Sequence, residues 1–187
     1  MGINIKIQPI EKSRIGELDF NNIQFGKHYS DHQYIVDYED GEWKNPRIIP
    51  YGNIEVSPAA SALHYGQAYF EGLKAYKNAK GEVYIFRPEE NWKRANTSAR
   101  RMCMPEIPYD IFMEGLKELV KMDEQWIPTG EGYSLYIRPF SFATDPFVGV
   151  RPSLTYKFII FTSPVNPFYS SALKVKVEDQ YVRAAQG

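Results

Sequence analysis

Apolar and polar residues alternate with different periods along these 187 residues, and each change of period marks an element. Residues 1–30 are polar and irregular, which predicts an arm lying on the body. Gln33 to Asp40 and Trp43 to Ile49 are β-rich runs on either side of Gly41, and Asp40-Gly41 is a hairpin signal. Pro58 to Phe70 predicts a loop and a short helix. Leu73–Lys77 and Glu82–Arg87, joined by Asn78-Ala79-Lys80-Gly81, predict a second hairpin.

Arg87-Pro88-Glu89-Glu90 is a helix start, because proline suits the first helical position and acids complement the dipole there. Trp92, Ala95, Ala99 and Met102 recur at helical spacing and form one apolar stripe. A second helix is predicted between Asp110 and Trp126, with Phe112, Leu116, Leu119 and Val120 inward and Pro128 closing it. Tyr133–Thr144 and Thr155–Ser163 predict two strands. Ser163 to Pro167 carries two prolines and an asparagine, as an interdomain turn does. Leu173 to Glu178 then alternates apolar and charged, as a half-buried strand does. The expected fold class is α+β, a mainly antiparallel sheet with flanking helices. It fills 1–164, with 165–187 as a linker and the first strand of a second domain otherwise absent.

Composition narrows the function classes. Apolar content of 43% and aromatic content of 15% supply a packed core, which excludes global disorder. A net charge of -1 provides no field for nucleic acid or an anionic membrane, so neither is expected as a partner. The basic cluster Lys93-Arg94 with Arg100-Arg101 follows Glu89 and Glu90 and reads as a solvated helix face. The longest strongly apolar run, Phe158 to Phe161, is far too short to span a bilayer. Charges at Lys6, Glu11, Lys12 and Arg14 leave no secretory block, and Lys6 breaks the myristoylation pattern after Met1-Gly2. The single cysteine, Cys103, makes no internal disulfide and has no metal-ligand company. A cytoplasmic, metal-free protein is the expectation.

Several residues could carry chemistry. On an extended run, Val83, Ile85 and Arg87 share one face, so a core-facing Arg87 needs a partner for its charge. A phosphate fits the planar fork of a guanidinium, and a salt bridge to Glu89 or Glu90 is the structural alternative. Tyr136, Arg138, Phe140 and Phe142 share the other kind of face from Leu135 and Ile137. A phenol beside a guanidinium among aromatics can orient a carboxylate, or it can be an exposed polar strand end. Tyr65 and Phe70 read as core on aromatic density alone, and Asp145 to Val150 as an ordinary turn.

A resemblance adds to these readings. The stretch Leu63 to Pro88, LHYGQAYFEGLKAYKNAKGEVYIFRP, is similar to the signature of branched-chain-amino-acid aminotransferases. These are fold-type IV enzymes using pyridoxal 5'-phosphate. Ser134-Leu135-Tyr136-Ile137-Arg138-Pro139 and the tail Tyr181 to Gly187 match the same family. The resemblance implies the small N-terminal domain of such an enzyme, with Arg87 on the cofactor phosphate. It implies Tyr136 at the substrate-carboxylate side, Arg138 in the pocket-lining network, and Tyr65 and Phe70 as walls of the side-chain pocket. Val148 and Val150 would reach into a neighbouring subunit's pocket, making the site complete in a homodimer. The implied reaction moves an amino group between L-leucine, L-isoleucine or L-valine and 2-oxoglutarate. The Schiff-base lysine would lie beyond Gly187, so no catalytic residue is nominated in this chain and it is expected to be inactive alone. Glu71 is expected to make a structural hydrogen bond. D-amino-acid aminotransferases and aminodeoxychorismate lyases are the rivals within the fold, though their glycine-rich F-G-D-G turn differs from His64-Tyr65-Gly66 here. A non-catalytic truncated domain or pseudoenzyme is the alternative of another class.

Overall fold

The computed structural model describes residues 2–167 and 172–181. The first hairpin forms where the period-2 run ends at Asp40-Gly41: β2 (His32–Glu39) pairs antiparallel with β3 (Glu42–Pro50). Asp40 and Gly41 take φ of 54° and 84°, the left-handed pair that a tight two-residue turn requires. An arm precedes this hairpin. Its β1 (Lys6–Ile7) lies parallel to β3, and the Arg14 amide donates to Asp31 Oδ1 at 2.9 Å. Next come α1 (Ser61–Tyr65), β4 (Ala68–Phe70), and the second hairpin, β5 (Leu73–Lys77) with β6 (Val83–Ile85). Helices α2 (Pro88–Arg101) and α3 (Tyr109–Met122) follow, and β7 (Ser134–Ala143) and β8 (Tyr156–Val165) end the regular structure.

The strands make one sheet in the order β1-β3-β2-β8-β7-β5-β6, with β4 pairing β7 off that path. Every pairing except β1 with β3 is antiparallel, as the sequence predicts for the sheet. One face is covered by the helices. Tyr34, Val36, Ile48, Ala75, Leu135, Ile137, Phe158 and Ile160 form a single cluster there with Phe112, Leu116 and Leu119 of α3. Helix α3 lies so close that a Cβ on Gly115 would stand 2.1 Å from the Tyr34 ring. The opposite face carries the alternate residues of β7, so Tyr136, Arg138, Phe140 and Phe142 are only half-buried while their neighbours are buried.

Three expectations need correction. The second helix stops at Met122 rather than Trp126, and Glu124–Trp126 is a 3-10 turn. Tertiary bonds break it: Asp123 accepts from the His32 amide at 3.0 Å and meets His32 Nδ1 at 2.7 Å, while Trp126 donates to Asp31 at 2.8 Å. The last strand runs through Pro164 to Val165, because Pro164 sits opposite Leu135 and Val165 opposite Ser134 in the ladder with β7. Leu173 to Glu178 is exposed and forms no strand among the described residues, since alternation gives a strand only when a ladder partner takes its amides. Within the tail motif, residues 182–187 lie outside the described residues.

Candidate functional site

Arg87 sits where β6 gives way to α2. The run expected through Arg87 leaves the ladder at Ile85, the last residue paired with β5. Arg87 then takes φ 46° and caps α2, so it is exposed rather than at the inner end of the core face. A left-handed arginine is uncommon, since Cβ crowds the backbone there, and it persists only where its surroundings impose it.

Arg87 lines a cleft of about 460 Å³ with Phe86, Glu90, Asn91, Lys93 and Arg94. The cations of this cleft are not equivalent. Lys93 Nζ is 2.9 Å from Glu90, and Arg94 Nη2 is 2.6 Å from Glu71. Lys93, and to a lesser degree Arg87, hold the Glu90 carboxyl below its ordinary range. Among the described residues Arg87 has neither an ion pair nor a side-chain hydrogen bond. The salt bridge to Glu89 or Glu90 considered above is therefore not formed, and the guanidinium's donors remain available.

On the open face, Arg138 donates through Nε and Nη2 to Tyr136 Oη at 3.1 and 2.8 Å. Its guanidinium stacks 4.2 Å from the centre of the Phe70 ring. Strand β4 explains that meeting, because Phe70 is directly opposite Phe140 on β7. Phe70, Arg138, Phe140 and Phe161 line a shallow, mostly apolar cleft of about 300 Å³. A third cleft, lined by Gly72, Lys74, Phe86, Asn91 and Tyr136, adjoins the Arg87 side, with which it shares Phe86 and Asn91. Its Tyr136 is hydrogen-bonded to Arg138 of the aromatic cleft, and that pair is the link between the cationic side and the aromatic side.

Tyr65, Val148 and Val150 do not line these clefts. Tyr65 ends α1 before the left-handed Gly66 and is largely exposed. The valine loop is ordered from within: Asp145 pairs with Arg151 at 2.8 Å, and Arg151 stacks on Phe147 at 4.1 Å. That scaffold turns both valines outward, and Val150 is 94% exposed. The Ser61 amide donates to Asp145 O at 3.1 Å, so α1 and the loop form one rim. Sequence reading missed Phe25, whose ring stands edge-on to Tyr136 at 5.7 Å, and Lys74, which faces Tyr136 in register. Only strand register or an arm's path could reveal them. No group of three His, Cys, Asp or Glu side chains capable of holding a metal occurs among the described residues.

No family model matches the chain. It is 50% identical over 174 residues to a probable branched-chain-amino-acid aminotransferase of Staphylococcus epidermidis, covering 90% of this chain and 48% of that one. It is 49% identical over 173 residues to branched-chain-amino-acid aminotransferase 2 of Bacillus subtilis, again covering 90% and 48%. Over nine-tenths of its length the chain is thus similar to branched-chain-amino-acid aminotransferases. Its structure agrees with solved ones. A branched-chain amino acid aminotransferase of Escherichia coli superposes with a TM-score of 0.54 at 29% identity, over 72% of this chain and 41% of that one. One from Thermobaculum terrenum in its PLP form gives 0.52 at 25% identity, over 72% and 40%. The architecture is that of the small N-terminal domain of a fold-type IV aminotransferase. The chain spans about half the length of the curated relatives it matches.

Proposed function

We propose that these residues serve an enzyme that transfers the amino group between L-leucine, L-isoleucine or L-valine and 2-oxoglutarate with pyridoxal 5'-phosphate. The observation that carries this reading is the unpaired Arg87 in a cleft where the neighbouring cations are each neutralised. Such a guanidinium suits a phosphate, since charge-assisted bonds to it are the strong kind. The exposed Phe86 and the half-buried Tyr136 beside it suit the edge of a planar ring. Bound pyridoxal phosphate supplies the electron sink that weakens the bond from the substrate's α-carbon to its proton.

The chain's own part is binding and orientation. Arg138 holds the Tyr136 hydroxyl at a fixed position beside the aromatic cleft, where the pair takes the amino acid's carboxylate side. Phe70 and, from the rim, Tyr65 wall the side chain. Apolar contact is its only handle and each methylene contributes about 1 kcal/mol, so leucine, isoleucine and valine are weakly distinguished. Val148 and Val150 project outward because they complete the pocket of a second copy, in a cytoplasmic homodimer.

The test is an assay of the whole protein with L-leucine or D-alanine as donor and 2-oxoglutarate as acceptor, beside a cofactor titration of Arg87→Ala. Turnover of L-leucine alone, with cofactor affinity lowered about 10- to 100-fold by the loss of charged bonds of about 1.5–3 kcal/mol, is expected. Use of D-alanine in place of L-leucine, or unchanged affinity, overturns the proposal.

A further inference from the structure

Glu71 is a buried carboxylate in a position where sequence reading expects only a structural bond. It is 2% exposed, and all the donors to its oxygens come from α2. Arg94 Nε and Nη2 reach it at 2.8 and 2.6 Å, and Asn91 Nδ2 at 2.8 Å. The same Asn91 amide also donates to the Gly72 carbonyl at 3.3 Å. Asn91 and Arg94 stand three apart on one face of α2 and line the same cleft as Arg87. The backbone of Glu71 faces the other way: its amide donates to Pro139 O at 2.8 Å, between Arg138 and Phe140. Its neighbour Gly72 lies under Tyr136, close enough that a Cβ would meet the hydroxyl at 2.6 Å.

We infer that Glu71 is a positioning residue that ties the first turns of α2 to β7 and so fixes where Arg87 stands relative to the Tyr136–Arg138 pair. The inference rests on the proposed role of Arg87. Two physical effects act together. The three bonds set the axial and rotational position of the turn that Arg87 caps. The charge of Glu71 also occupies Arg94, which is otherwise a second guanidinium in the cleft competing for the same anion. Without Glu71 the helix start loses its anchor on the sheet, and Arg87 meets the phosphate in more than one geometry.

A double-mutant cycle in the whole protein tests this, with pyridoxal phosphate titrated into wild type, Glu71→Gln, Arg87→Ala and the double variant. Glu71→Gln alone is expected to weaken cofactor binding about tenfold, which corresponds to about 1.4 kcal/mol. In the Arg87→Ala background it is expected to change binding by less than about twofold, because the effect travels through Arg87. A purely structural role lowers the melting temperature and weakens binding equally in both backgrounds, and that result overturns the inference while leaving Arg87 on the phosphate. No effect of Arg87→Ala sinks the underlying reading and the inference with it. Should Glu71→Gln fail to fold, Asn91→Ala removes one of the three donors and is read in the same cycle by the same criteria.

Discussion

Replacing Gly115 by alanine tests how α3 is seated on the sheet. The added Cβ would lie 2.1 Å from Tyr34 Cε1 and 2.3 Å from Cζ. Carbon atoms in contact prefer about 3.5–4.0 Å, so helix and ring must separate by about 1.5 Å. Neither is free to move. Tyr34 is fully buried, its hydroxyl donates to Ile111 O at 3.0 Å, and its strand is held by β3 on one side and β8 on the other. Overpacking of this kind costs about 1–3 kcal/mol, and the immobility of the ring puts it at the upper end. Alanine returns about 1 kcal/mol of helix propensity relative to glycine. The net expectation is a loss of about 2 kcal/mol, or about 4–8 °C in melting temperature for a chain of this size. Far-ultraviolet circular dichroism during heating and in urea measures it. Trimming the ring as well, with Tyr34→Val beside Gly115→Ala, should show a favourable coupling between the two changes. A Gly115→Ala protein as stable as wild type would refute the reasoning, because helix propensity would then outweigh a clash the packing does not contain.

Other expectations follow from the same contacts. Tyr69 Oη and Ser141 Oγ are buried directly opposite each other in the ladder, and neither makes a well-formed hydrogen bond among the described residues, so Tyr69→Phe should leave urea stability unchanged or raise it by up to about 1 kcal/mol. Burial opposes ionisation of Asp37, but Arg47 and Lys157, each at 2.6 Å, outweigh it and hold the carboxyl below its ordinary value. The unfolded carboxyl, near pH 3.9, binds its proton more tightly than the folded one. This stabilisation is therefore present above about pH 4 and lost as pH falls through the folded value. Asp37→Asn should cost about 2 kcal/mol at pH 7 in denaturant titrations and flatten the acid limb, less than a fully buried pair because both cations reach solvent. If the proposed function holds, Gly72→Ala should push Tyr136 off Arg138 and raise the KM for L-leucine about tenfold, a displacement worth about 1.4 kcal/mol, with stability little changed. If Val150 completes a neighbour's pocket, Val150→Asp should lower kcat/KM without lowering the melting temperature, since its side chain touches solvent here.

Local rules were sufficient for much of this molecule. Asp40-Gly41, Pro88 and the helical stripe through Ala95 and Ala99 each state a preference that no distant residue opposes, and the hairpin and α2 form where they predict. The alternation along Ser134–Ala143 likewise placed Tyr136 and Arg138 on the face opposite Leu135 and Ile137, because a strand has only two faces. The motif around Tyr65 and Phe70 also pointed to one family, whereas Arg87 would need an anion only if its side chain faced the core, and the residue is exposed. What followed from the assembled chain involves competition or register between distant segments. Asp123 ends α3 early because His32, 91 residues away, claims its carboxylate. Arg87 leaves its strand after Ile85, the last residue paired with β5, and Pro88 starts a helix directly behind it. Which cation of the cleft stays unpaired depended on Glu71 and Glu90 meeting Arg94 and Lys93 in space. A sequence encodes each residue's preference, but the resolution of two preferences for one partner exists only once the chain has brought them within bonding distance.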